Sequence, residues 1–141
     1  MFEHQFQFAL FSQLDIPVSA PLRPIQRHFR HRRHARAGLP LLEVPEVISM
    51  LQGKKDALIA ARARFYAVLD ASWAQVAGGA APDTDAMQAV QASSLDLGAV
   101  CRAGVDGLYP YCGLYAARED STINRVWRDF HTASQHSLLL P

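Results

Sequence analysis

Hydrophobic residues recur at helical spacing along most of the chain, and the clearest run begins at Pro45. Proline is tolerated in the first turn of a helix, and the neighbouring Glu46 complements the helix dipole. The pair Gly78-Gly79 provides a stop signal. The pattern predicts one helix of about 33 residues, which is about 50 Å long at 1.5 Å per residue. Its predicted apolar stripe contains Val47, Leu51, Leu58, Phe65, Leu69, Trp73 and Val76.

A second helix follows the glycine pair. Asp83 or Thr84 can cap its start, and the helix is predicted to run toward Gly113, with an end or a kink near Tyr109 because Pro110 cannot continue it. The apolar positions expected on its buried side are Met87, Val90, Leu97, Cys101 and Leu108.

The last helix is predicted over residues 122–137, with Ser121 as its cap. At about 100° per residue, its side chains divide into two faces. The apolar face holds Ile123, Val126, Trp127, Phe130, Ala133, Ser134 and Ser137, and the polar face holds Arg125, Arg128, Asp129, Thr132 and His136, with His131 at the edge.

Two interpretations of the polar face are open. It is either a solvated surface tied by an Arg125–Asp129 pair, which is worth a few tenths of a kcal/mol, or a surface directed at a cofactor or a buried interface. In the second case His136 supplies a proton-transfer group near neutral pH.

The first 40 residues carry a weaker pattern. Residues 1–15 give a mixed pattern: Phe6, Phe8 and Leu10 alternate as in a strand, whereas Phe2, Phe6, Leu10 and Leu14 recur every four residues as in a helix, and we favour the helix. Three prolines mark 16–24 as a linker. The basic stretch 25–37 is predicted to form a short helix that Gly38 and Pro40 end. We therefore expect two parts, an N-terminal arm over residues 1–40 and a helical bundle over residues 41–141.

Composition agrees with a single folded domain. The chain has 141 residues, of which 50% are hydrophobic and 19% are charged, so it can bury a core. No apolar run approaches the roughly 20 residues that span a bilayer, and the N-terminus lacks a secretion signal. Cys101 and Cys112 are expected to be reduced thiols. Together with the helical patterns, these features predict a cytoplasmic, all-α protein without membrane contact, and we expect its helices to form an up-and-down bundle like that of the family named below.

The basic segment allows three interpretations. The net charge is only +1, but six arginines cluster without an intervening acid, at Arg23, Arg27, Arg30, Arg32, Arg33 and Arg36. Such a cluster can bind nucleic acid, although it contains a single aromatic residue for base stacking. His28, His31 and His34 do not converge on one helix face, so we expect no metal. A solvated basic helix or partly ordered arm is favoured, and nucleic-acid binding is disfavoured.

The segment from Arg125 to His136 resembles the closing signature of the acyl-CoA dehydrogenase-like flavin monooxygenases, the two-component hydroxylases that use reduced flavin. Upstream features agree in order and spacing: the opening Val44-Pro45-Glu46-Val47, the Ala71-Ser72-Trp73 segment, the glycine break and Gly107-Leu108-Tyr109. The resemblance covers residues 41–141. It implies the C-terminal four-helix bundle of that family, which also builds a tetramer, so we expect a homo-oligomer, either a dimer or a tetramer.

The resemblance also implies a site. His136 matches a catalytic histidine beside the flavin ring, and Arg128 and His131 match residues near the flavin or residues that position this helix. The implied cofactor is reduced flavin, FMN or FAD. The family's first helical domain and its central β domain have no counterpart in this chain. We therefore expect flavin binding only with a partner chain that supplies them, and neither cofactor nor oxidoreductase activity in the isolated chain. The alternative function is a non-catalytic, self-associating interaction module.

Overall fold

The computed structural model describes residues 27–34 and 38–135. Within these residues there is no β-strand, and an isolated bridge joins Arg33 to Pro40. The predicted all-α class is therefore confirmed. The helices are α1 (Pro45–Ala77), α2 (Thr84–Leu108) and α3 (Thr122–Ala133), and 3-10 segments lie at Leu41–Glu43 and Tyr109–Tyr115. None of the described helices is long and apolar enough to cross a membrane.

Helix α1 has the predicted bounds, with proline in its first turn and a length of 33 residues. Its end depends on glycine because Gly79 has φ 83°, a left-handed conformation that a side chain disfavours. The chain then turns so that the Ala80 N–H donates to the Gln75 carbonyl at 3.0 Å. This bond satisfies a carbonyl that the helix leaves without a partner.

Helices α1 and α2 form an antiparallel hairpin. Asp83 begins α2, and its side chain accepts a hydrogen bond from the Ala86 N–H. Arg64 pairs with Asp96 at 2.6 Å, whereas Lys54, ten residues earlier along α1, lies beside Gly107. An earlier residue of α1 thus contacts a later residue of α2, which shows that the two helices run in opposite directions.

The core lies at the end of the hairpin where α1 begins and α2 ends. The largest fully buried side chains are Phe29, Phe65, Leu108, Val47 and Cys112. Leu41, Val44, Leu58, Ala61, Leu97, Ala116 and Ile123 complete the cluster. Residues from the segment before α1, from all three helices and from the connection between α2 and α3 therefore share one hydrophobic core.

The opposite end of the hairpin differs from the sequence prediction. Trp73 and Val76 were expected on the buried stripe of α1, but they are 60% and 41% exposed. Helix α3 reaches only as far as Arg102 of α2, where Ser134 meets it. No helix within the described residues therefore covers the distal end of α1, and the apolar stripe is buried only along its first part.

The predicted helix over residues 25–37 is wrong at residues 30–34. Helical backbone occurs at 27–29 and a turn at 30–31, after which the Leu41 N–H donates to the Arg32 carbonyl at 2.8 Å. Burial of Phe29 explains the early end, because it fixes this segment on the core while the backbone beyond it pairs with the residues before α1. The predicted helix over 1–15 and the linker over 16–24 lie outside the described residues, and the boundary at residue 40 stays a prediction.

The buried position of Phe29 predicts a large loss of stability on truncation. Phe29→Ala should lower the free energy of unfolding by about 3–5 kcal/mol, because it removes an aromatic ring from a packed core. Leu114→Ala is the matched control, since Leu114 is 87% exposed, and it should change stability by less than about 0.5 kcal/mol. Urea unfolding followed by circular dichroism measures both. Equal midpoints for the two variants would show that residues 27–34 are an arm independent of the core.

Candidate functional site

Helix α3 is held at its start by polar contacts. The buried Ser121 accepts a hydrogen bond from the Asn124 N–H at 3.0 Å, as predicted for a cap. The Asn124 amide then donates to the Ala116 carbonyl at 2.9 Å. Tyr109, at the end of α2, donates its hydroxyl to the same carbonyl at 2.9 Å. The first turn of α3 is thereby fixed relative to the last turn of α2.

The two faces of α3 separate as predicted except at Ala133, which was expected on the apolar face and is exposed. Ile123 and Ser134 are buried and Val126, Trp127 and Phe130 are half-buried, whereas Arg125, Arg128, Asp129 and Thr132 are exposed. The Arg125–Asp129 ion pair does not form within the described residues, where Arg64 pairs with Asp96 and Arg118 pairs with Asp120. The polar face is thus a row of solvated side chains that do not pair with each other.

His131 lies at the edge between these faces, as predicted, and contacts α2. Its Nε2 is 2.8 Å from the Asp106 carboxylate. The Trp127 indole packs on the imidazole with ring centroids 4.2 Å apart, and its N–H donates to the same carboxylate oxygen at 3.3 Å. Asp106 therefore joins two aromatic rings of α3 to α2.

A second polar contact lies one turn away on each helix. Arg102 of α2 donates to the Ser134 hydroxyl at 2.7 Å and to the Ser134 carbonyl at 3.4 Å. The Ser134 hydroxyl donates in turn to the His131 carbonyl at 3.1 Å. These bonds occupy the His131 and Ser134 carbonyls, which a longer helix would use in its own backbone hydrogen bonds. They explain why α3 ends at Ala133, so the prediction that the helix continues is wrong at residues 134 and 135.

The three residues predicted for the site have different positions. Arg128 is exposed on the outer face, and His131 is half-buried at the edge. His136 lies outside the described residues, so its role stays a prediction. Asp106 and Arg102 were missed. Sequence alone gave no sign of them because their partners depend on the register between α2 and α3, which is set by the fold of residues 109–121.

The basic segment packs on the connection between α2 and α3. His28 stacks on Tyr115 with ring centroids 4.7 Å apart and donates from Nε2 to the Cys112 carbonyl at 3.2 Å. The Arg32 guanidinium lies against Gly113, where a side chain would overlap it. Phe29, the aromatic residue of the basic run, is in the core and cannot stack on a base. No group of three possible metal ligands occurs in the described part of the chain.

Neither cysteine has the environment of a nucleophile. Burial raises the pKa of the Cys101 thiol and of the Cys112 thiol to about 11 in each case. Both cysteines are free, and at neutral pH both therefore remain protonated thiols.

Comparison with known proteins decides the family. The family described as acyl-CoA dehydrogenase, C-terminal domain, matches residues 20–141. The chain belongs to this family. The match begins before residue 41, and it therefore includes the basic segment that the resemblance had left out.

A hydroxylase is among the relatives of this acyl-CoA dehydrogenase C-terminal domain. The pigment production hydroxylase of Rhodococcus erythropolis is 32% identical over 84 residues. That match covers 58% of this chain and 21% of the hydroxylase, so the shared part is about a fifth of the relative.

The fit of a flavin to this domain can be judged from the outer face of α3. The family is flavin-dependent in general. The exposed guanidiniums of Arg125 and Arg128 can donate hydrogen bonds, but nothing within the described residues covers them. Electrostatic stabilisation in a catalytic site requires fixed groups in a space from which water is excluded. The described residues therefore do not by themselves enclose a site for a flavin.

The partly buried position of His28 in the basic segment predicts that the stability of the protein depends on pH. Burial lowers the pKa of His28 from 6.5, and the charges of Arg32 and His31 act in the same direction, against the hydrogen bond to Cys112. The unfolded chain therefore takes up this proton before the folded chain does as the pH falls. The contribution of neutral His28 is present above pH 6.5 and is lost as the pH falls below it.

Urea unfolding at about pH 7.5 and about pH 5.5 tests this expectation. The wild type should lose more stability between the two values than His28→Gln, which keeps a side-chain donor and cannot titrate. If both proteins lose the same amount, then His28 does not carry the pH dependence.

Proposed function

We propose that this chain acts as the C-terminal helical domain of a flavin-dependent hydroxylase and forms one wall of its reduced-flavin site. The observation that carries the proposal is the geometry of α3, which is anchored on α2 by its inner side and presents an exposed polar face. The family match and the hydroxylase relative support the same function. The matched part is 21% of the relative, and in this proposal flavin-binding domains on a partner chain complete the site.

The three residues proposed for the site, two on α3 and one after it, then have roles that follow from their chemistry. The Arg128 guanidinium is permanently charged and donates hydrogen bonds to oxygen atoms of a bound molecule. His131 is held by Asp106 at 2.8 Å at the border of the polar face. His136 follows shortly after the end of α3 and holds or transfers a proton near neutral pH. Reduced flavin, when bound, supplies the electrons with which oxygen is activated.

The test requires the chain both alone and with its partner. A neighbouring open reading frame that encodes flavin-binding domains identifies the partner, and flavin fluorescence measures binding of FMN or FAD. The chain alone should not bind FMN or FAD, whereas the assembled complex should bind the flavin and hydroxylate its substrate. His136→Ala should lower the hydroxylation rate by about 10²–10⁴-fold, the usual contribution of a group that transfers a proton.

The control variant is Gln135→Ala, which changes an exposed neighbour and should keep the wild-type rate. A complex of the two chains that neither binds nor uses reduced flavin would rule out the catalytic role.

A specific observation also favours self-association. Trp73, Val76 and Met87 lie at the same end of the hairpin, where α1 ends and α2 begins, and all three are exposed. Clustered apolar surface of this kind is typical of an interface between proteins. The proposed assembly is a homodimer or homotetramer built on this end of the hairpin.

Light scattering at micromolar concentration measures the mass of the assembly. The wild type should have the mass of a dimer or tetramer, and Val76→Asp with Met87→Asp should give a monomer, because the buried charges would lose their hydration. Leu114→Asp, at the opposite end, should leave the mass unchanged. A monomeric wild type would exclude this assembly.

A further inference from the structure

Asp106 makes two contacts that neither the sequence motif nor the family match explains. Its carboxylate oxygen Oδ1 accepts from the Trp127 indole at 3.3 Å and is 2.8 Å from the His131 Nε2. Asp106 projects from α2, whereas both rings belong to α3. One oxygen atom therefore fixes two side chains of the neighbouring helix.

The chemistry of this oxygen determines the state of the imidazole. An ionised carboxylate only accepts hydrogen bonds, so the ring nitrogen that faces it must carry a hydrogen. In the neutral ring the hydrogen is then on Nε2, and Nδ1 keeps its lone pair. His131 is in this way held as a hydrogen-bond acceptor at Nδ1.

The neighbouring rings hold the imidazole in place. The centroids of the Trp127 and His131 rings are 4.2 Å apart, and the Phe130 ring is edge-on to the imidazole with centroids 5.9 Å apart. The His131 side chain remains 24% exposed, so part of the ring is accessible from the border of the polar face. Packing therefore restricts the ring without closing it off.

We propose that Asp106 is a positioning residue that fixes the His131 ring and keeps its Nδ1 as the acceptor for an N–H group of a bound ligand. The identity of that ligand rests on the proposed function, in which the N–H group belongs to the ring system of reduced flavin. The positioning itself depends only on the contacts between α2 and α3.

Nitrogen NMR of the ¹⁵N-histidine-labelled full chain tests the positioning. At about pH 9, where imidazoles are neutral, His131 of the wild type should show one protonated and one unprotonated nitrogen, with Nε2 protonated. Asp106→Ala removes the acceptor, so the two nitrogen signals should move toward each other as both tautomers become populated. Exchange of the His131 ring N–H with water should accelerate by about tenfold or more, as expected for loss of a charge-assisted hydrogen bond.

Arg102→Met is the matched control. It removes the other polar contact between α2 and α3 without touching the His131 ring, so it should loosen the end of α3 and leave the nitrogen signals unchanged. Unchanged signals in Asp106→Ala would overturn the proposal. Equal shifts in both variants would also overturn it, because they would show only a general loosening of α3.

A second measurement separates this proposal from the proposed function. In the complex with the flavin-binding chain, added reduced FMN or FAD should shift the His131 Nδ1 signal of the wild type, and this shift should be lost in Asp106→Ala. If the complex binds flavin but Nδ1 does not respond, then the ligand contact is wrong. If the complex binds no flavin while Asp106→Ala still alters the tautomer, then the proposed function fails and the positioning role of Asp106 stands.

Discussion

Burial of the connection between α2 and α3 is the constraint on which the rest of the structure depends. Leu108, Cys112 and Ala116 are all fully buried, and they lie four residues apart across the point where Pro110 ends α2. The connection therefore contributes Cys112 and Ala116 to the core, although Leu114 between them is exposed. Because it enters the core, the direction in which α3 leaves is fixed, and so is the register that brings Asp106 to His131.

The same constraint holds residues 27–34 of the basic segment against the core. Phe29 enters the core beside Tyr111, with ring centroids 6.3 Å apart, and Arg32 packs against Gly113. Gly113 has φ 57° and no side chain, which leaves room for the guanidinium. Residues that looked like a solvated arm in the sequence are thus partly structural. This dual role limits how far the positive charge of the segment can be taken as evidence for a nucleic-acid partner.

Much of the fold was predictable because it depends on local signals. Pro45, the glycine pair after α1, and the caps Asp83 and Ser121 act through neighbouring backbone groups, so the sequence alone places the helices that they bound. The burial of Trp73 and the length of α3 were predicted wrongly for the opposite reason. A helical stripe shows which residues share a face but not whether another helix covers that face, and the end of α3 depends on Arg102, which is distant in sequence.

In the candidate site, too, the features that depend on local sequence were predictable and those that depend on packing between helices were not. The two faces of α3 follow from a periodicity of 3.6 residues per turn and were predicted correctly except at Ala133, including the edge position of His131. The partner of His131 could not be predicted, because Asp106 is 25 residues away in sequence and no local pattern links the two. What the sequence lacked was the register between α2 and α3, and that register follows from packing at Leu108, Cys112 and Ala116.

The balance of forces on α3 connects this packing to function. Apolar burial on α3 is concentrated near its start, where Ile123 enters the core, whereas its later turns are held by hydrogen bonds to Asp106 and Arg102. Such bonds at a partly exposed interface contribute about 1 kcal/mol each, which is small beside the several kcal/mol that a buried aromatic side chain contributes. They are, however, directional. The end of α3 is therefore oriented more firmly than it is stabilised, which agrees with the role proposed for its polar face.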